Sequence, residues 1–103
     1  MNGDTVMNPQ SLVSLLATRR EEMVRRFAIK KLGIFGSAAR NEMHKGSDID
    51  VLVEFQASPT FDAYMDLKFY LEDLLHADVD LVIEDTLKPR LRPFIEKDLI
   101  RVP

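Results

Sequence analysis

Two aspartates separated by one residue, Asp48 and Asp50, open the apolar run "DIDVLVEF". Aspartate is disfavoured in strands, and a buried carboxylate without a partner is costly. Residues two apart on a strand project to the same side, their Cα atoms on the order of 6–7 Å apart. Such a pair offers oxygen ligands to one hard cation, Mg2+ or Mn2+. Taken alone, the pattern is more often a solvated strand end, since aspartates gather at exposed positions. Upstream, Gly36-Ser37 ends another apolar run, "KLGIF". Glycine lets backbone approach a ligand closely, and amides at a helix start favour phosphate. A lone Gly-Ser is equally an ordinary turn and cap. A third aspartate, Asp80, lies between Val79 and Leu81. Those apolar neighbours suggest a half-buried strand position for it.

Whether these groups meet depends on the elements that carry them. Asn8-Pro9 reads as a helix start, with asparagine as cap and proline in the first turn. The spacing of Leu12, Leu15, Leu16, Met23 and Phe27 predicts a helix over 9–27. Residues 1–8 are expected to be loose. Strands are predicted at 31–35, 48–55 and 79–83, with a short helical turn at 37–41. On the second strand Ile49, Val51 and Val53 share one face, while Asp48, Asp50, Leu52 and Glu54 share the other. Ser58-Pro59 breaks the chain before a second helix over 61–77, with Phe61, Tyr64, Leu67, Leu71 and Leu74 as its stripe. Pro93 opens a short helix to about residue 99.

The class is therefore α/β, a small mixed sheet of about three strands flanked by helices. The helical crossover makes strands two and three parallel. Their starts share one sheet edge, so Asp48, Asp50 and Asp80 gather there. A short connection makes strands one and two antiparallel, which brings Gly36-Ser37 to the same edge. Three carboxylates so placed repel one another and raise at least one pKa; a divalent cation removes that penalty.

Other polar residues are less decisive. Arg40, one turn after Ser37, either reaches a phosphate or is a solvated arginine or a brace to Glu42. His44 and Lys45 occupy the loop before Asp48, where His44 reads as a loop residue rather than a base. His76, ending the second helix, reads as a favourable C-terminal charge. Lys88, Arg90 and Arg92 form a basic loop that is either solvated or in contact with a phosphate or an acidic partner. Met65, Phe69 and Tyr70 lie off the helical stripe, and Val13 gives a weaker hint of the same kind. They widen the core contact or form a patch for a partner protein.

Composition sets the outer limits. The chain has 103 residues, the size of one domain, 1–103. Its net charge of -3 lacks the basic surplus of a protein held by nucleic-acid phosphates, so no direct nucleic-acid partner is expected. A local nucleotide site remains compatible with that charge. The absence of cysteine excludes disulfides, zinc-thiolate sites and thiol nucleophiles, and it fits a cytoplasmic protein. The segment MNGDTVMNPQ lacks a signal-peptide layout, and no apolar run approaches the ~20 residues that span a bilayer.

Gly36-Ser37, ten residues and then Asp48-Ile49-Asp50 together resemble the signature of the polymerase-β-like nucleotidyltransferase superfamily. The run "FGSAARNEMHKGSDIDVLVEF" is similar to its minimal nucleotidyltransferase branch, as are "VDLV" at 79–82 and "LKPRLRPFIEKDLI". The resemblance implies the palm fold of that superfamily, with ATP as substrate and Mg2+, two ions, as cofactor. It implies metal ligation by Asp48, Asp50 and Asp80. Asp80 would also help to deprotonate the attacking hydroxyl, and Gly36 and Ser37 would bind the triphosphate. It further implies a HEPN-family toxin as partner in a hetero-oligomer, with AMP moved to a tyrosine of that toxin. The other expectation carried forward is an antitoxin that neutralises its partner by binding alone. A transferase acting on a small molecule is disfavoured, because 103 residues leave little for a second substrate-binding domain.

Overall fold

The computed structural model describes residues 8–44 and 46–103. The expected looseness of residues 1–7 and the loop position of Lys45 lie outside the described residues. Asn8 does cap the first helix: its side-chain oxygen accepts from the Ser11 amide at 2.8 Å, and Pro9 occupies the first turn. The predicted long helix is two helices, α1 (Pro9–Thr18) and α2 (Arg20–Phe27). The break is at Arg19, whose φ of -109° and ψ of 4° leave helical geometry. Nearby, the Thr18 hydroxyl donates to the Leu15 carbonyl and the Arg20 guanidinium to the Lys30 carbonyl. Side chains thus take up main-chain acceptors beside the break, on both the helix and the strand.

Strand β1 (Ile29–Phe35) leads into the one-turn helix α3 (Gly36–Ala39), then β2 (Ile49–Phe55), helix α4 (Phe61–Leu75) and β3 (Val79–Ile83). Two short 3-10 turns follow at 84–86 and 89–91. The chain then forms helix α5 (Arg92–Glu96) and strand β4 (Ile100–Arg101). The sheet has four strands in the order β3-β2-β1-β4, one more than predicted. β4 is two residues long, too short for alternation to register in sequence. It pairs antiparallel with β1 at Gly33 and Ile34. Gly33 permits this approach, since a Cβ there would lie 2.8 Å from Leu99 Cδ1 and 2.9 Å from the Ile100 carbonyl.

The expected pairings are present: β1 with β2 antiparallel, and β2 with β3 parallel. Strand alternation divides the sheet into unlike faces. Ile49, Val51 and Val53 are buried with Leu32, Ile34, Val79 and Leu81 against Leu12, Leu16, Met23, Leu67 and Leu71 of the helices. At roughly 25 cal/mol per Å2 of apolar area removed from water, this helix-covered face is the main source of stability. One predicted member of the α4 stripe is misplaced. Phe61 is 75% exposed, whereas Leu75 is buried. Phe61 is the first helical residue, directly after the Thr60 cap, and it lies beyond the edge of the core. Helix α4 ends at Leu75, two residues early, because His76 adopts left-handed backbone with φ 53°. Among the described residues no helix is long and apolar enough to cross a membrane.

Candidate active site

The opposite face of β2 carries Asp50, and the strand register decides its neighbours. Asp50 lies opposite Asp80 across the parallel pair and opposite Phe35 across the antiparallel pair. Phe35 is the last residue of β1, so the next residue, Gly36, falls directly against the Asp50 carboxylate. A Cβ at Gly36 would collide with Asp50 Oδ2, and the backbone there has φ +67°, which side chains disfavour. Glycine is therefore required on two independent grounds.

Asp50 and Asp80 face each other as register partners, close enough for each carboxyl to act on the other. Asp48 is exposed, immediately precedes β2 and acts on Asp50 through its charge. The Asp50 pKa is pushed up to about 6, first by burial, next by the adjacent Asp80 and finally by Asp48, while Arg40 pulls it down. Burial is the larger cause, and the repulsion expected where carboxylates crowd adds to it. The predicted triad is thus a facing pair with a third acid nearby, and Asp80 is exposed rather than half-buried as its apolar neighbours suggested, because its side chain points away from the face that Val79 and Leu81 bury. Among the described residues no three acidic or imidazole groups are gathered into a preformed metal cage. That arrangement still suits Mg2+, which binds through one or two carboxylates with substrate phosphates completing its shell. The donor set is all oxygen, and the raised Asp50 pKa marks negative charge that a cation would relieve.

Ser37 is the second residue of α3, half-buried. The turn that ends α3 is closed by Asn41, left-handed with φ 60°, and by the Glu42 amide donating to the Ser37 carbonyl at 2.9 Å. Arg40 has two carboxylate partners. Its Nε meets Glu42 Oε1 at 2.7 Å and its Nη1 meets Asp98 Oδ2 at 2.7 Å. The brace to Glu42 was one of the alternatives open in the sequence, whereas Asp98 was missed. No local pattern points to a partner 58 residues away.

The remaining candidates stand apart from the pair. The His44–Ser47 turn is tied by two hydrogen bonds, from the Ser47 amide to the His44 carbonyl and from the His44 amide to Ser47 Oγ. His76 serves to terminate α4. Arg92, read as solvated or in contact with a phosphate or an acidic partner, pairs within the chain with Glu84 and Glu96 at 3.2 Å each. Arg101 adds a two-pronged contact to Glu84, and chiefly through it the Glu84 carboxyl is held below the usual range. Lys88 and Arg90 are exposed.

Comparisons with known proteins give the family. Residues 16–102 match the nucleotidyltransferase domain. A Methanocaldococcus jannaschii chain assigned as a protein adenylyltransferase is 43% identical over 85% of this chain and 91% of its own length. The protein adenylyltransferase MntA of Thermococcus cleftensis is 33% identical over 90% of this chain and 94% of its own. A solved structure assigned as a minimal nucleotidyltransferase superposes with a TM-score of 0.76 at 33% identity, covering 93% of this chain and 97% of that one. More distant neighbours share the fold. One is a toxin-antitoxin structure with AMP-PNP, with a TM-score of 0.70 at 22% identity and coverage of 84% and 72%. Another is an MNT antitoxin in complex with a tri-AMPylated Shewanella oneidensis HEPN toxin, with a TM-score of 0.64 at 20% identity and coverage of 88% and 71%. The chain belongs to the nucleotidyltransferase domain family, in the minimal branch whose members include protein adenylyltransferases.

Proposed function

We propose that this chain transfers AMP from ATP to a tyrosine hydroxyl of a HEPN-family toxin and so acts as the antitoxin of a toxin–antitoxin pair. The observation that carries the reading is the juxtaposition of Gly36, Asp50 and Asp80 at one sheet edge. The names of the relatives and the toxin-antitoxin neighbours support the choice of a protein acceptor.

In this reading the triphosphate lies along the Gly36-Ser37 turn, where backbone without a Cβ admits close approach. Asp48, Asp50 and Asp80 would hold Mg2+, which offsets negative charge on the transferring phosphate when bound. The acceptor oxygen attacks the α-phosphorus and forms an O–P bond as the bond to the pyrophosphate oxygen breaks. The hydroxyl proton passes to the Asp80 carboxylate, which is exposed on β3 at the sheet edge and so open to a second substrate. With so small a site, most of the rate comes from positioning and charge stabilisation.

The test is direct. The chain is incubated with Mg2+, ATP and the toxin encoded beside it, and the toxin is weighed by mass spectrometry. A gain of one or more AMP groups, absent with Asp50→Asn, is expected. A tight complex with no gain would instead identify an antitoxin that acts by occlusion.

A further inference from the structure

Arg40 sits at the end of α3 with carboxylates on two sides, and those carboxylates are not equivalent. Glu42 is a near neighbour in sequence, carried back by the left-handed turn at Asn41, and its side chain is 61% exposed. Asp98 comes from the C-terminal segment, and its side chain is 17% exposed. A charge-assisted hydrogen bond gains strength as water is excluded. Asp98 is therefore the firmer partner, and Glu42 the one exchanged at little cost.

The two contacts use different parts of the guanidinium. Asp98 accepts from Nη1, at the end of the group. Glu42 accepts from Nε, which belongs to the Nε–Nη2 edge, one of the forks that receive an anion with two parallel hydrogen bonds. Arg40 also lies one turn after Gly36, donating its amide to the Gly36 carbonyl at 3.1 Å, and Gly36 is the residue whose backbone meets the Asp50 carboxylate. The cation thus stands beside the acids with its anion-receiving edge covered by a displaceable carboxylate.

We infer that Asp98 and Glu42 have opposite effects on nucleotide binding through Arg40: Asp98 is a positioning residue that anchors the guanidinium, and Glu42 is a built-in competitor on the edge that a triphosphate oxygen takes. The inference rests on the nucleotide reading above and adds its regulation. Phosphate binding exchanges one anion for another on Nε, so no bond of the arginine is left empty. Glu42 weakens binding by the worth of an exposed ion pair. Without Asp98 the guanidinium must be ordered by the ligand itself, which costs affinity.

Isothermal titration of the full chain with Mg2+ and a non-hydrolysable ATP analogue distinguishes the two roles. Glu42→Gln is expected to tighten binding about twofold to fivefold. Asp98→Ala is expected to weaken it about threefold to tenfold. Asp98→Asn, which keeps an acceptor oxygen, is expected to stay between Asp98→Ala and wild type, and it replaces the alanine variant if that one fails to fold. Melting temperatures recorded alongside separate anchoring from general loss of structure, because loss of structure cannot tighten binding. If wild type binds the analogue and both substitutions shift affinity in the same direction, or Glu42→Gln leaves it unchanged, the division of roles is overturned. If wild type binds no Mg2+-nucleotide at all, the nucleotide reading falls with it.

Discussion

Strand β2 shows two unlike faces in its first three residues, Ile49 to Val51. Ile49, Val51 and Val53 are 2% exposed or less and join the helices in the core. On the other face Asp50 is held against Asp80 and keeps its proton to a pH of about 6. The same alternation that builds stability on one side therefore concentrates unfavourable charge on the other. Stability and chemistry are separable at the start of the strand, where Asp50 stands between buried Ile49 and Val51, whereas further along Leu52, on the same face as Asp50, is itself buried at 1% exposure.

The largest test of that separation is substitution on the acidic face. Asp50→Asn or Asp80→Asn should lower AMP transfer by about 10^2–10^4-fold, measured as initial rate by mass spectrometry, with circular dichroism unchanged. A comparable loss of fold would show that the faces are not independent. On the apolar face, Leu71→Ala removes a fully buried side chain. It should cost about 3 kcal/mol and lower the melting temperature by about 10–20 °C, while transfer persists below the new transition.

Gly36→Ala probes the seam between the faces. Left-handed backbone and collision with the Asp50 carboxylate should cost about 1–2 kcal/mol in thermal melts. Displacing that carboxylate should also lower transfer about a hundredfold. The smallest effect is on pH dependence. Asp50 binds its proton more tightly in the folded than in the unfolded chain, so its contribution to stability is greatest below about pH 4 and is lost as pH rises through about 6. Asp50→Asn removes that loss. It should stabilise the metal-free protein by about 1 kcal/mol at pH 8, allowing for partial solvent exposure, and by nothing near pH 4. Melts across that range check the sign.

Much of this site was legible in the sequence because it depends on periodicity and topology. Alternation placed Asp50 opposite in sense to Ile49 and Val51, and a crossover forced β2 and β3 parallel, which brought Asp80 beside it. What stayed hidden rests on tertiary fit. The Arg40–Asp98 pair joins residues 58 apart, and β4 exists only because Gly33 admits Leu99 and Ile100. The break at Arg19 interrupts an apolar stripe that itself reads as continuous, with Leu16 and Met23 buried on either side. Exposure of Phe61, the first residue of α4, likewise depends on how far the core reaches, which helical spacing does not encode.

The central claim, that Asp50 and Asp80 form the cation- and nucleotide-binding pair, is tested most directly by NMR titration of the Asp50 carboxyl carbon with and without Mg2+ and a non-hydrolysable ATP analogue. The account predicts a midpoint of about 6 in the metal-free protein and a fall to the ordinary carboxylate range or lower once the analogue is bound. A midpoint near the unperturbed value of 3.8, indifferent to the added metal and nucleotide, would contradict it.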